Sequence, residues 1–274
     1  MRIGWKATVV VLVAAVAVVV LSLATSLRSA EPGAYVGART PEGQPDLNGI
    51  WQAVNTANWD IQDHEARQGP LPSLGAAFSV PGGVGVVEGN EIPYRPEALA
   101  KKKENADHWI TADPEVKCYM PGVPRATYMP YPFQITQNPG HILIAYEFAS
   151  ATRIIAMNSK GQSPADTWMG WSTGRWDGNT LVVDVTSFND QTWFDRAGNY
   201  HSDALHVVER YTPVAADVLR YDVTIEDPKV FTRPWKMSMP LYRRQEKNAQ
   251  LVEYKCVEFA EELMYGHLRK KTSR

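Results

Sequence analysis

The chain has 274 residues, a formal net charge of −2 and 44% hydrophobic residues, which is the composition of a folded globular protein. These values exclude a wholly disordered chain, a collagen-like chain and a small disulfide scaffold. The near-neutral charge argues against nucleic acid as the main partner, because phosphate binding needs a dense basic surface. The 19 glycines, 19 prolines and 10% aromatic residues indicate a turn-rich β protein, long enough for one large domain or two small ones.

The N-terminal segment, residues 1–30, has the pattern of a signal peptide or a membrane anchor. Arg2 and Lys6 precede an uncharged, mostly apolar run over residues 7–26. A basic start followed by such a run is typical of secretory signals, and the small residues at 22–24 suit a cleavage site. As a helix the run would be about 30 Å long, so an uncleaved inner-membrane anchor stays open. Both interpretations predict a periplasmic or secreted protein that contacts the membrane only through this segment.

Cys118 and Cys256 are the two cysteines of the chain. After export both thiols would lie in an oxidising compartment, where cysteines most often pair. A metal or redox pair is the alternative, and it is disfavoured because the chain has no C-x-x-C motif and no close Cys/His cluster. We therefore expect a structural disulfide between Cys118 and Cys256, which chain entropy would make worth roughly 4–5 kcal/mol.

Residues 31–137 form a loop-rich part that we expect to pack on the rest of the protein. Proline and glycine turn formers recur in it at 41–43, 81–83 and 121–124. Between them, the stretch from Arg95 to Asp107 predicts one short helix, because Pro96 lies near its first turn, where proline is favoured.

From residue 138 to residue 260, apolar and polar residues alternate with the period of half-buried β-strands. The clearest predicted strands are His141–Phe148, Leu219–Glu226 and Trp235–Tyr242. Asp177-Gly178 lies between two further strands and favours a tight hairpin, and short turns of this kind indicate an antiparallel meander. Such sheets commonly close into a barrel, which removes their exposed edges. We therefore predict a mainly β fold, an antiparallel meander closing into a β-barrel at 138–260 and followed by a basic tail at 261–274.

Gly49-Ile50-Trp51 adds a local resemblance. The tripeptide resembles the opening of lipocalin-like (calycin) barrels, in which the tryptophan plugs the closed end. A core tryptophan beside a turn glycine is the alternative interpretation. The resemblance implies a lipocalin-like barrel, a fold that holds a small molecule.

Six longer motifs follow one another along the chain. They are Pro45–Trp51, Pro121–Arg125, Pro130–Ile135, Gly174–Asp184, His201–Tyr211 and Ile225–Pro228. Together they resemble a family of exported, β-rich bacterial proteins known from uncharacterised open reading frames. The resemblance implies export and a β-rich fold, and it carries no settled chemistry.

The densest set of polar side chains lies at 193–210. The residues expected to bind a ligand there are Trp193, Arg196, Tyr200, His206, Glu209 and Arg210. Gly198 and Asn199 indicate a loop that leads into a strand, and loops at a barrel mouth commonly hold ligand sites. Because Glu209 and Arg210 lie mid-strand on opposite faces, one of them must face the interior or a covered surface.

His201 is the candidate acid–base residue of this stretch. Its imidazole titrates near neutral pH, and Asp195 or Asp203 would orient it. The alternative is that both aspartates cap turns and that His201 is exposed. A metal site of His201, Asp203 and His206 is disfavoured, because positions 201 and 203 share one face of an extended chain and 206 lies on the other.

Two functions remain open from the sequence. The first is an exported lipocalin-like protein that binds a small hydrophobic or aromatic molecule in a barrel pocket. The second is a cofactor-independent acid–base enzyme (isomerase, hydratase or lyase) that uses His201 with Asp195 or Asp203, and an envelope interaction protein is a third, weaker alternative. The chain has no G-x-S-x-G elbow, no glycine-rich phosphate loop and no H-E-x-x-H motif, so we expect no cofactor and no metal. The binding interpretation makes fewer demands on the residues and is the leading hypothesis.

Overall fold

The structure, a computed structural model, describes residue 35 and residues 37–69 and 79–254. By its contacts the chain divides at Val36, and the account below concerns residues 37 onward. The N-terminal segment, Cys256 and the tail at 261–274 lie outside the described residues, so what the sequence predicts for them stays a prediction. Within the described residues, no helix is both long and apolar enough to cross a bilayer.

Nine strands form a closed barrel in which each strand pairs with the next along the chain and β1 pairs with β9. The strands are β1 (Gly49–Ala53), β2 (Phe133–Gln137), β3 (His141–Tyr146), β4 (Thr152–Met157), β5 (Trp171–Asp177), β6 (Thr180–Thr186), β7 (His206–Ala215), β8 (Val218–Glu226) and β9 (Trp235–Arg243). The predicted mainly β fold with a closed, lipocalin-like barrel is confirmed.

One pairing differs from the predicted antiparallel meander. Strands β4 and β5 run parallel, with Ile155 opposite Ser172 and Met157 opposite Gly174. A parallel pair needs a connection that returns along the sheet, and residues 158–170 supply it. No short turn joins these two strands, which is why the local turn signals do not reveal the crossover.

The barrel takes in part of the loop-rich region as well. Strands β1 and β2 come from residues 31–137 and close the sheet, with Trp51 opposite both Phe133 and Arg243. The same region carries α1 (Pro96–Asp107), α2 (Trp109–Ala112) and α3 (Arg125–Tyr128). The helix predicted from Arg95 is confirmed, with Arg95 itself in an extended conformation before its first turn.

The alternation of residues turns one face of each strand into the barrel. On β8, Leu219, Tyr221, Val223 and Ile225 are at most 1% exposed, whereas Arg220 between them is exposed. Burying each such apolar side chain contributes about 1.5–3 kcal/mol, so the interior of the barrel is the main core.

The two ends of the barrel differ. The lower end carries Gly49, the β5–β6 turn and the β7–β8 turn, and the upper end carries the loop at 187–205, called here the upper loop. At the lower end, the Arg243 guanidinium lies 4.3 Å from the centre of the Trp51 ring and donates to the carbonyls of Asn48 and Asp46. Gly49 has φ 139° and its Cα faces Arg243, so any side chain there would be strained and would meet the guanidinium.

Candidate functional site

A polar cluster lies inside the barrel, and we call it the interior cluster. It consists of Arg153 on β4, Glu209 and Tyr211 on β7, and Tyr221 on β8. The two guanidinium Nη atoms of Arg153 donate to the Glu209 carboxylate at 2.8 and 2.9 Å, and Nη2 also lies 3.0 Å from the Tyr211 hydroxyl. The hydroxyls of Tyr211 and Tyr221 donate to Oε1 of Glu209 at 2.9 and 2.6 Å. All four residues are buried.

The electrostatics of the interior cluster keep Arg153, Tyr211 and Tyr221 each in one protonation state. Burial is the largest single influence on the pKa of Arg153 and acts to lower it, but Glu209, Tyr146 and Tyr211 together outweigh it and raise that pKa well above its ordinary value. Burial, followed by the charge of Glu209, raises the pKa of Tyr211 and of Tyr221 well above 10. The guanidinium is therefore charged and both phenols are hydrogen-bond donors.

One donor of the interior cluster has no partner. Among the described residues, Nε of Arg153 is buried and makes no hydrogen bond. An unpaired buried donor costs about 1–3 kcal/mol, and buried polar groups are almost always satisfied. The N–H group at Nε is thus available to a hydrogen-bond acceptor that the described residues do not supply.

Most of the cross-strand neighbours of the interior cluster are apolar, and the Ser172 hydroxyl lies 3.4 Å from Nη1 of Arg153. The cross-strand neighbours of its members on the inner face include Ile144, Val183, Val223 and Met239. The interior cluster thus sets a small number of polar groups among mainly apolar strand residues, a composition that small-molecule sites share.

The residues that the sequence places in one site are distributed over three locations. Glu209 belongs to the interior cluster. The upper loop carries Trp193, Asp195, Arg196, Tyr200 and His201. Of the remaining residues, Asp203 lies at the exposed end of the upper loop and pairs with Lys229, whereas His206 and Arg210 lie on the outer face of β7 and pair with Asp184 and Asp177.

His201 is buried, and both of its ring nitrogens have partners. Nε2 lies 2.6 Å from Oγ1 of Thr192, and Nδ1 lies 2.8 Å from the carbonyl oxygen of Ser202. A carbonyl can only accept, so Nδ1 carries the proton and the Thr192 hydroxyl donates to Nε2. Burial lowers the pKa of His201, which keeps the ring neutral. Within the described part of the chain, neither Asp195 nor Asp203 hydrogen-bonds to His201.

Asp195 holds the upper loop together instead. Its carboxylate accepts from the backbone N–H of Ile61 at 3.0 Å and from the backbone and side chain of Asn199 at 3.1 and 2.6 Å. Burial, and then the charge of Asp60, raises the pKa of Asp195 to about 7, although these three N–H groups act to lower it. The carboxyl therefore titrates near neutral pH and ties the upper loop to residue 61.

The other residues of the upper loop also make contacts within the fold. The guanidinium of Arg196 pairs with Glu115 at 3.0 Å and stacks over Trp59. The Tyr200 hydroxyl donates to the carbonyl of Ala98 on α1 at 3.3 Å, and the backbone of Tyr200 forms an antiparallel β-bridge with Trp193. These contacts attach the upper loop to the helical region.

Arg153, Tyr211 and Tyr221 are functional candidates that sequence reasoning missed. Arg153 had a detectable signal, because it shares a strand face with Ile155 and Met157 and so places a charge among inward-facing apolar residues. Such a charge needs a buried partner, and Glu209 was already identified as a mid-strand carboxylate.

Neither a search for metal-binding clusters among the described residues nor the comparisons with known proteins identifies a function. Across residues 37–69 and 79–254, no group of three or more His, Cys, Asp or Glu side chains is arranged to hold a metal ion. Compared with models of protein families and with curated proteins, the chain matches none.

Proposed function

We propose that the chain is an exported, lipocalin-like binding protein whose barrel holds a small hydrophobic or aromatic molecule that carries a hydrogen-bond acceptor. The observation that carries the proposal is the buried Nε–H of Arg153 in the interior cluster, which has no hydrogen-bond partner within residues 37–69 and 79–254. Export rests on the pattern of residues 1–30.

The energetics of the interior cluster favour a binding role over a purely stabilising one. A buried ion pair is often no more stabilising than apolar residues of similar volume, because desolvating both charges offsets their attraction. A barrel that only needed a core would therefore gain nothing from Arg153 and Glu209. The pair is explained if its role is to fix the orientation of a bound molecule.

The charges of the cluster indicate the chemical class of the ligand. Arg153 and Glu209 neutralise each other, so an additional net charge would be buried without a counter-ion. A neutral acceptor such as a carbonyl oxygen meets the Nε–H group at no such cost. An apolar or aromatic body suits the surrounding Ile, Val and Met side chains.

Displacement of N-phenyl-1-naphthylamine, a fluorescent apolar probe, tests this proposal on the full chain. 2-Acetylnaphthalene and 2-ethylnaphthalene are matched competitors that differ in a carbonyl oxygen. We expect the ketone to displace the probe at about tenfold lower concentration, as a hydrogen bond to a charged donor predicts. In the quadruple variant Arg153→Met, Glu209→Leu, Tyr211→Phe and Tyr221→Phe, which removes every polar group of the interior cluster, this preference should disappear. Failure of the probe to bind, or an equal preference in both proteins, would contradict the proposal.

A hydrolase with Thr192 as nucleophile and His201 as its base, in place of the acid–base enzyme expected from the sequence, is the second candidate, and one observation favours it. The 2.6 Å contact between Thr192 and His201 pairs a hydroxyl with a neutral imidazole, which is the arrangement of an activated nucleophile. Both side chains are at most 2% exposed, so binding remains the better-supported function. Hydrolysis of p-nitrophenyl acetate above the buffer rate, lost in both His201→Ala and Thr192→Val, would reverse this order.

A further inference from the structure

A second pocket lies at the lower end of the barrel, away from the interior cluster. It has a volume of about 450 Å³ and lies between the turn at 40–44 and the β2–β3 loop. This volume falls in the range of about 300–1,000 Å³ that small-molecule sites occupy. We call it the lower pocket.

The lower pocket combines one indole ring with several side-chain amides. Trp176, the inward-facing residue near the end of β5, packs partly against the core and also lines the pocket. The side chains of Gln44, Asn138 and Asn158 line it as well, and among the described residues their amide groups have no hydrogen-bond partner. Each amide offers both donors and acceptors to a ligand.

The wall formed by residues 40–44 is held in place by its own hydrogen bonds. Thr40 N–H donates to the Gln44 carbonyl and Gly43 N–H to the Thr40 carbonyl, each at 2.9 Å. Arg39 donates to the Gly43 carbonyl at 2.7 Å and to the Asn179 side chain at 3.0 Å, which ties this turn to the β5–β6 turn. The hydroxyl of Thr40 is buried without a partner among the described residues, so the wall offers one more unused polar group.

We propose that the lower pocket binds a neutral carbohydrate. A sugar ring has an apolar C–H face that packs on an indole, and its hydroxyls both donate and accept, as the three amides require. Two carboxylates, Glu42 and Asp46, and one guanidinium, Arg39, also line the pocket, so its charges nearly balance and a neutral ligand fits them better than an anion. The proposal is independent of ligand binding in the barrel interior.

Saturation-transfer NMR on the full chain tests for free sugars, with N-acetylglucosamine, glucose and their β-1,4-linked dimers as probes. We expect saturable binding of at least one of them below about 10 mM, the range of a weak site with a millimolar Kd. Sedimentation with insoluble peptidoglycan tests the same pocket for the end of a glycan polymer. If only the soluble sugars bind, the natural ligand is a free sugar. If peptidoglycan also binds, the natural ligand is the end of a glycan chain.

Four variants connect such binding to the lower pocket. Asn138→Ala and Trp176→Ala should weaken it by at least about fivefold, the loss of one net hydrogen bond or stacking contact. Trp176→Phe keeps a ring, and Asn248→Ala removes an exposed asparagine outside the pocket, so both should retain binding. The proposal is overturned if no probe binds, or if Asn138→Ala and Trp176→Ala bind as the unchanged chain does. The naphthylamine probe should still bind the Asn138→Ala variant, which separates this test from the test of the barrel interior.

Discussion

The carboxylate of Glu209 accepts two hydrogen bonds from the guanidinium of Arg153, at 2.8 and 2.9 Å, across the interior of the barrel. Two strands separate β4 from β7 in the sheet, so the ion pair spans the enclosed space rather than one strand pairing. It fixes a charged donor in an apolar interior, and the binding proposal depends on this arrangement.

Removing one partner of the ion pair should destabilise the fold strongly. Glu209→Gln leaves the Arg153 guanidinium buried without a counter-ion, and we expect the free energy of unfolding to fall by about 3–5 kcal/mol. The quadruple variant Arg153→Met, Glu209→Leu, Tyr211→Phe and Tyr221→Phe should lie much closer to the unchanged chain, because it buries neither a charge nor an unpaired hydroxyl. Urea unfolding measures all three proteins. Glu226→Gln, at an exposed carboxylate on β8, is the matched control and should change stability by less than about 1 kcal/mol. Equal effects at 209 and 226 would show that the interior pair is not buried.

The packing of Arg243 on Trp51 should stabilise the lower end of the barrel. Arg243→Ala removes the cation–π contact and two charged hydrogen bonds to the carbonyls of residues 46 and 48. We expect a loss of about 2–3 kcal/mol. Arg244→Ala removes a neighbouring, more exposed arginine paired with Glu246, and it should cost less than about 1 kcal/mol. Unfolding curves in which the two variants coincide would refute a special role for Arg243.

Stability should decrease as the pH rises through the titration of Asp60 and Asp195. Burial raises the pKa of both carboxyls, that of Asp195 to about 7, so between about pH 4 and 7 these two groups bind more protons in the folded chain than in the unfolded chain, whereas the lowered pKa of His201 acts in the opposite direction. Asp60→Asn removes one charge and keeps an oxygen that can accept from the N–H of Gln62. The fall in Tm between about pH 5 and pH 8 should therefore be smaller in Asp60→Asn than in the unchanged chain. Asp63→Asn, at an exposed position, should leave the pH dependence as it is, and parallel profiles for all three proteins would contradict the account.

The two cysteines should be paired in protein isolated from its native compartment. Thiol alkylation before reduction should leave the intact mass unchanged, whereas alkylation after reduction should add two labels. Two free thiols before reduction would refute the predicted bridge between Cys118 and Cys256.

The strand-rich half of the fold could be predicted from the sequence because period-two alternation is a local signal. It indicates β8 and β9 almost residue by residue, since each strand buries one face and exposes the other. Strands β1 and β2 span only five residues each among turn formers, and the β4–β5 crossover depends on contacts distant in sequence. These features follow from closure of the barrel. Closure depends on pairings between residues distant in sequence, and no local pattern predicts such pairings.

The candidate site was less predictable, because residues that are adjacent in a strand point to opposite faces of the sheet. Glu209 and Arg210 are consecutive, but alternation turns the first into the barrel and the second to its outer surface. His201 precedes the strand and is held by Thr192 in the upper loop. The partner of Glu209 is Arg153, 56 positions earlier in the chain. A site assembled across a closed sheet draws its residues from several strands, so a dense polar segment indicates only some of them.

A crystal structure of the full chain grown with 2-acetylnaphthalene tests the central claim most directly. The account predicts density for the naphthalene body inside the barrel, with its carbonyl oxygen within hydrogen-bonding distance of Nε of Arg153. A ligand bound only outside the sheet, or an interior filled by side chains with Nε bonded to the protein itself, would contradict it.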